Sequence, residues 1–219
     1  MAKRAMTDEA KATKAQAILD TAAKMFAETE YEKLKMSNIA KEMGISNGIL
    51  FVYFKTKEML FFKLLMREYA NRLDRLEKIV TARPIDTYQD FKKLVLDEMS
   101  DVIDSAPMYI RLCSIRTVII ERNSDMEQMI LLKQSLYQRI QEVSSLICEK
   151  CNVFTQEEVM GIFMTQESIL VGCKLSADLP KDVIKMMNDY SLDGFAYDFK
   201  SSAMKTMDCY LDGFHSHGI

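Results

Sequence analysis

The sequence predicts an all-α protein, and three observations carry that prediction. Apolar residues recur at helical spacing through most of the chain, and no stretch alternates convincingly at period two. Only three prolines and seven glycines interrupt 219 residues. With 48% hydrophobic residues the chain can bury a substantial core, so long helices with short connections are expected.

Residues 1–14 are polar and lysine-rich and read as a flexible arm. From Ala15 the positions Ile18, Leu19, Ala22, Met25 and Phe26 mark a first helix ending near Glu30. Ile39, Ala40 and Met43 give the inner face of a short second helix. Gly44 follows where the chain must pass through left-handed backbone, which glycine adopts without penalty. Ser46 is placed to cap a third helix, with Leu50 and Phe54 pointing inward. Lys57-Glu-Met-Leu-Phe-Phe-Lys-Leu-Leu opens a long fourth helix running to about Thr81.

Pro84 marks a boundary. Beyond it the pattern predicts helices at 86–105, 107–122, 124–151, 155–178 and 181–215. Pro107 and Pro180 fall at helix starts, where a missing N–H costs little. Ser124-Asp-Met-Glu and Thr155-Gln-Glu-Glu have the pattern of capping boxes. The expected organisation is an arm (1–14), a small three-helix domain (15–62) and a larger helical domain (63–219).

The net charge of −3 hides an asymmetry. Residues 1–80 hold 15 Lys+Arg against 11 Asp+Glu, net +4, whereas residues 81–219 hold 14 against 21, net −7. A mildly basic head on an acidic body fits polyanion binding, although an excess of four charges is also what chance supplies. No apolar signal core follows Met1-Ala-Lys-Arg, and no run approaches the roughly eighteen apolar residues of a membrane span. Five cysteines, an odd number, do not suggest a disulfide framework. The expectation is a cytoplasmic protein with reduced thiols and no membrane partner.

The most informative stretch is Ser37–Gly44 followed by Ile45–Lys57. A short amphipathic helix, a glycine turn and a second short helix with a polar and aromatic outer face form the pattern of a DNA-binding helix-turn-helix. Residues 15–62 also resemble the N-terminal domain of TetR-family transcriptional regulators. The shared pattern runs through Ile18-Leu-Asp-Thr-Ala-Ala-Lys-Met-Phe-Ala27, Tyr31, Ile39-Ala40, Gly44-Ile-Ser46, Gly48, Leu50 and Tyr53-Phe-Lys-Thr-Lys-Glu58-Met-Leu60. The departures are Asn47 where many members have lysine, apolar Ile49, Phe51 and Val52 for more polar or tyrosine positions, Lys35 for a small cap, and Glu30 for a glycine.

The resemblance implies that the third helix enters a major groove with Ser46, Asn47, Gly48, Ile49, Phe51, Val52 and Tyr53 facing DNA, and that Lys57 contacts phosphate. Lys35 and Ser37, at the start of the second helix, complete the expected DNA-facing set. The chemistry agrees. Asparagine pairs with an adenine edge, Ile49 and Val52 suit thymine methyls, and a lysine at a helix N-terminus adds charge where amides already favour phosphate. It further implies a homodimer on an operator of double-stranded DNA, repressing until a small molecule binds the larger domain. An adaptor that kept the fold and lost operator binding is the alternative, and the apolar Ile49 and Val52 allow it.

In the larger domain Phe91, Leu94, Val95 and Met99 form one helical face, and Tyr109, Leu112, Cys113 and Arg116 another. The family resemblance puts an effector cavity here, with Phe91, Met99, Tyr109, Cys113, Arg116, Met164 and Glu167 as candidate contacts for a largely apolar molecule. Core packing is the competing role for each. Arg116, flanked by apolar residues, must snorkel out, pair with an acid such as Glu167, or meet an anionic ligand. Met160, Phe163, Met164, Leu170, Val171 and Leu175, then Phe195, Phe199, Met207, Tyr210, Leu211 and Phe214, make faces broad enough for a partner helix pair. Gly161, Gly172 and Gly194 either permit close approach or simply weaken ordinary helices.

Cys148-x-x-Cys151 has the spacing of a redox pair or half a zinc site, and His215 and His217 are the only histidines. Without a second pair, buried or idle cysteine is the simpler account. No nucleophile elbow, phosphate loop or His-Glu metal helix occurs, so neither an enzyme nor a cofactor is expected.

Overall fold

The computed structural model describes residues 7–217, of which Asp193 and residues 215–217 are described by backbone alone. Every regular element among the described residues is helical. Helix α1 spans Asp8–Glu28. It starts well before the expected Ala15, so Asp8–Lys14 belong to a helix and not to an arm. The Thr7 hydroxyl accepts the Ala10 N–H at 3.2 Å, and Asp8 and Glu9 sit in the first turn, where negative charge complements the helix dipole. Cap and helix formers start this helix about two turns before Ala15. Residues 1–6 of the expected arm lie outside the described residues.

Helix α2 (Met36–Glu42) and helix α3 (Asn47–Tyr53) follow. Gly44 joins them at φ +61°, with the Ile45 N–H on the Ala40 carbonyl and the Gly44 N–H on the Lys41 carbonyl, both at 3.0 Å. This is the Schellman closure that left-handed backbone permits. Helix α4 covers Lys57–Ala82, capped by the Thr56 hydroxyl accepting the Met59 N–H at 3.1 Å.

The larger part comprises α5 (Tyr88–Ser105), α6 (Pro107–Ile115), α7 (Met126–Lys150), α8 (Gln156–Ala177), α9 (Lys181–Asp189) and α10 (Phe199–His217). Two expectations are corrected here. The helix predicted over 107–122 gives way to a π-helical turn at Arg116–Ile120 and a 3₁₀ turn at Glu121–Asn123. The helix predicted over 181–215 is two helices. Ser191 at φ +54° ends α9, and the Leu192 N–H reaches back to the Met187 carbonyl at 2.9 Å. That is the same closure as at Gly44 with serine in the strained position, which is why no glycine announced it.

The capping boxes divide likewise. Thr155 and Glu158 form theirs. Ser124 does not: its hydroxyl donates to the Ile120 carbonyl at 2.7 Å, and Asp125 instead accepts the Gln128 N–H at 2.9 Å. A further box at Thr87–Asp90 opens α5.

The chain forms two compact units, one of the residues up to Glu68 with Ile115–Lys133, the other of Tyr69–Ser114 with Gln134–Ile219. The first has a core of Ile18, Ala22, Phe26, Leu34, Ile39, Leu50, Phe54 and Leu60–Phe62, all essentially inaccessible. Phe26 meets Phe61 edge-on at 5.0 Å, and Arg67 ties α4 to α1 through Asp20 at 2.5 Å. In the second unit α10 packs on α8 and α5. The Tyr88 hydroxyl donates to the Leu211 carbonyl at 2.6 Å, and Lys92 bridges Asp208 and Asp212 at 2.7 and 2.6 Å. No described helix is long and apolar enough to cross a membrane.

Candidate nucleic-acid interface and effector site

Helix α3 is held from behind by its own apolar residues. Leu50 and Phe54 are buried, and the Ser46 hydroxyl accepts the Ile49 N–H at 3.3 Å. The opposite face is bare. Asn47 and Gly48 are exposed, Ile49 and Phe51 are each 46% exposed, and Val52 is 82% exposed. Nothing in the fold asks for so much apolar surface outside. Gly48 is not required by the fold either, since a Cβ built there meets only the Ser46 hydroxyl at 3.9 Å. Tyr53 is half-buried, Ser46 is committed as a cap, and Lys35 and Ser37 are exposed at the start of α2. Lys35 occupies the cap position of α2 without a side-chain cap bond. Ser37 lies inside α2, at its second residue.

Lys57 sits at the start of α4 as expected, but its ammonium turns inward. It donates to the carbonyls of Tyr31 at 2.5 Å and Leu34 at 2.8 Å, and burial lowers its pKa. Tyr31 is buried against Phe61, and burial together with Glu58 raises its phenol well above the ordinary range.

In the second unit the expected effector residues separate. Tyr109 on α6 and Glu167 on α8 meet, the phenol donating to the carboxylate at 2.6 Å. Tyr69 of α4 donates to the same oxygen at 2.6 Å, and the Cys113 thiol lies 3.7 Å from the Tyr69 hydroxyl. Phe91 and Met99 are wholly buried, with Phe91 against Phe154 at 4.6 Å. Met164 is 71% exposed and lines no interior, because the buried stripe of α8 is Val159, Ile162, Gln166, Leu170 and Cys173. Arg116 opens the π turn in the first unit, with Glu121 at 4.0 Å as a neighbouring acid.

Sequence reasoning missed the group that holds this region. Arg72 is buried and donates to both carboxylate oxygens of Glu98 at 2.6 and 3.0 Å, to the Tyr109 hydroxyl at 2.7 Å and to the Gln166 carbonyl oxygen. Gln166 in turn donates to the Val95 carbonyl at 3.0 Å. Burial opposes the Arg72 charge, but Glu98 and Tyr109 outweigh it and hold the guanidinium protonated. Burial pushes the Tyr109 phenol well up. The signal was available: Arg72, Glu98 and Gln166 all lie on otherwise apolar stripes, beside Leu76, Leu94 and Ile162.

Among the described residues no group of three or more potential ligands could hold a metal ion. Cys151 is buried, and the Cys148 thiol is raised by burial. The side chains of His215 and His217 lie outside the described residues.

A family model described as "Bacterial regulatory proteins, tetR family" matches residues 18–64, and one described as "Tetracyclin repressor-like, C-terminal domain" matches residues 66–218. The chain belongs to the TetR family. Its helix-turn-helix is therefore that of a TetR-family DNA-binding transcriptional regulator. The fatty acid metabolism regulator protein of Bacillus subtilis is 33% identical over 61 residues, a match spanning 28% of this chain and 31% of that protein. Two solved structures superpose over most of the chain. One is the fatty acid degradation regulator FadR of Bacillus halodurans (TM-score 0.54, 16% identity, 90% of this chain and 94% of that one). The other is FadR of Bacillus subtilis in complex with stearoyl-CoA (TM-score 0.51, 17% identity, 90% and 96%). At these identities the likeness is one of fold.

Proposed function

We propose that this TetR-family regulator is a homodimeric repressor that leaves a near-palindromic operator when a largely apolar effector binds its second unit. The observation that carries the DNA side is the bare outer face of α3. Asn47 offers paired hydrogen bonds to an adenine edge, and Ile49 and Val52 suit thymine methyls. Gly48 leaves room for close approach that the fold itself does not use. Dimerisation is supported by the exposed stripe of α8, where Gly161, Met164, Ser168, Gly172 and Leu175 follow each other three and four residues apart. Two reading helices then enter successive major grooves about 34–36 Å apart.

The effector class is suggested by the relatives, one named for fatty acid metabolism and one crystallised with stearoyl-CoA. The methionine content, 17 residues, suits an adaptable apolar interior. Helix α4 runs unbroken from Lys57 to Ala82, so displacement of its second half by an effector carries into its first turns. An effector acts only through its different affinities for the two states.

Selection of random duplex DNA by the purified protein tests the reading. A palindromic motif is expected, released by stearoyl-CoA as the first effector probe. No enrichment at low salt from a folded protein overturns operator binding. The exposed Ile49, Phe51 and Val52 favour one second reading, a protein-interaction adaptor. Salt separates the two: operator binding falls by orders of magnitude between about 50 and 200 mM when six or more phosphates are engaged, whereas apolar docking barely responds.

A further inference from the structure

Helix α3 is made in part of residues that its fold does not ask for. Its seven residues include Gly48, Ile49 and Val52, all poor helix formers at exposed positions, where alanine or glutamate would serve a short helix better. Residues that work against their own local structure, with no packing gained in return, mark positions kept for another purpose. No side chain of α3 carries a charge.

The arrangement gives this hydrocarbon a direction. Residues three and four apart adjoin on a helix, so Val52 stands beside Gly48 and Ile49. Helical side chains lean towards the N-terminus, which carries the Val52 isopropyl over Gly48, where no side chain shields it. Val52 is accordingly 82% exposed. Valine and isoleucine each hold one dominant rotamer in a helix, so this surface is stiff and loses little freedom on contact.

In a major groove these properties select among base edges. Guanine is read in pairs of hydrogen bonds by arginine or lysine, and α3 offers neither. The apolar feature of that groove is the C5 methyl of thymine. A hydrocarbon makes no hydrogen bond. It therefore separates a methyl from its absence, but not the O4 acceptor of thymine from the N4 donor of cytosine.

We propose that Ile49 and Val52 read the C5-methyl group of a pyrimidine, so that the head accepts 5-methylcytosine where it accepts thymine and disfavours uracil and unmethylated cytosine. This rests on the reading of α3 proposed above and adds to it the chemical group recognised.

The test uses the full-length protein and a duplex that it has selected. Each thymine of the motif is replaced in turn by uracil, and each T·A pair by C·G or by 5-methylcytosine·G. Uracil at a contacted position is expected to weaken binding about fourfold per half-site, the value of one buried methyl. At the same position 5-methylcytosine should bind several-fold more tightly than cytosine. Val52→Ala and Ile49→Ala each favour a helix and should fold. At least one of them should bind the thymine and uracil duplexes within about twofold of each other. That comparison separates contact from stiffness, because a change in DNA deformability would weaken every variant alike.

Equal affinity for thymine and uracil throughout the motif overturns the proposal. So does equal affinity for cytosine and 5-methylcytosine, or a thymine preference that survives both substitutions. A selected motif with no required T·A pair also overturns it, and leaves operator binding standing. If the wild type enriches no duplex at all, the operator reading itself fails, and this proposal with it.

Discussion

Glu98 holds the guanidinium of Arg72 through both of its carboxylate oxygens, at 2.6 and 3.0 Å, in the buried interior of the second unit. The pair joins α4 to α5, and the remaining donors of Arg72 reach α6 through Tyr109 and α8 through Gln166. Four helices thus depend on one cation. Desolvating two buried ions can cost as much as their attraction returns, so the pair is expected to specify an arrangement more than to stabilise one.

Removing one partner strands the other. Glu98→Ala is expected to lower stability by about 3–5 kcal/mol in urea unfolding, because an unpaired buried guanidinium remains. The double variant Arg72→Met/Glu98→Leu should cost less than the single one. A single variant within about 1 kcal/mol of wild type would show that the pair is not closed in solution.

Gly48 separates fold from function. Alanine there meets no clash and suits a helix better than glycine does, so Gly48→Ala should raise stability by up to about 1 kcal/mol. Operator affinity should fall in the same variant, since the added methyl stands on the bare face of α3. Thermal unfolding and a binding titration check the two halves, and a fall in both would mean that the glycine serves the fold.

Asn47→Ala is expected to relax sequence choice at one position of each half-site, losing about 1–3 kcal/mol of discrimination there. Repeating the duplex selection with the variant reads this directly. An identical recovered motif would remove Asn47 from the base-reading set.

The exposed α8 stripe should govern assembly. Gly172→Glu places a charge where an added Cβ meets no described atom within 4 Å, so the folded protomer should survive. Sedimentation should then report a monomer in place of a dimer, with loss of operator binding. A dimer that persists would put the interface elsewhere.

Two capping carboxyls predict an acid-side loss of stability. The Thr87 side chain holds Asp90 below its ordinary value of 3.8, and the Thr155 backbone and side chain hold Glu158 below 4.5. A carboxyl depressed in the folded state contributes stability that is fully present above the unfolded value and is lost as pH falls through the folded one. The variant Asp90→Asn/Glu158→Gln should therefore show a lower melting temperature near neutrality and a flatter decline below about pH 4.5. Parallel curves for variant and wild type would mean that other groups carry the acid response.

The head was legible in the sequence because its signals are local. Apolar residues at helical spacing, Gly44 before a turn and Ser46 before a third helix each act within a few residues, and the structure has all three in place. The same locality misled at the ends. A helix opened by Thr7 and polar residues carried no apolar stripe to announce it, and Ser191 adopts a left-handed backbone with no glycine to mark it.

What the sequence determined by itself was the all-α class, the helix-turn-helix and the face of α3 that carries Asn47 and Gly48. What only the tertiary structure decided was where each charged or polar side chain goes once the helices pack. Lys57 turns to carbonyls 23 and 26 residues away, and Arg72 meets Glu98 and Gln166 at separations of 26 and 94. Helical periodicity is set by neighbours along the chain, whereas a buried donor takes whichever acceptor packing brings within about 3 Å. That second choice is made between helices and is not written in any one of them.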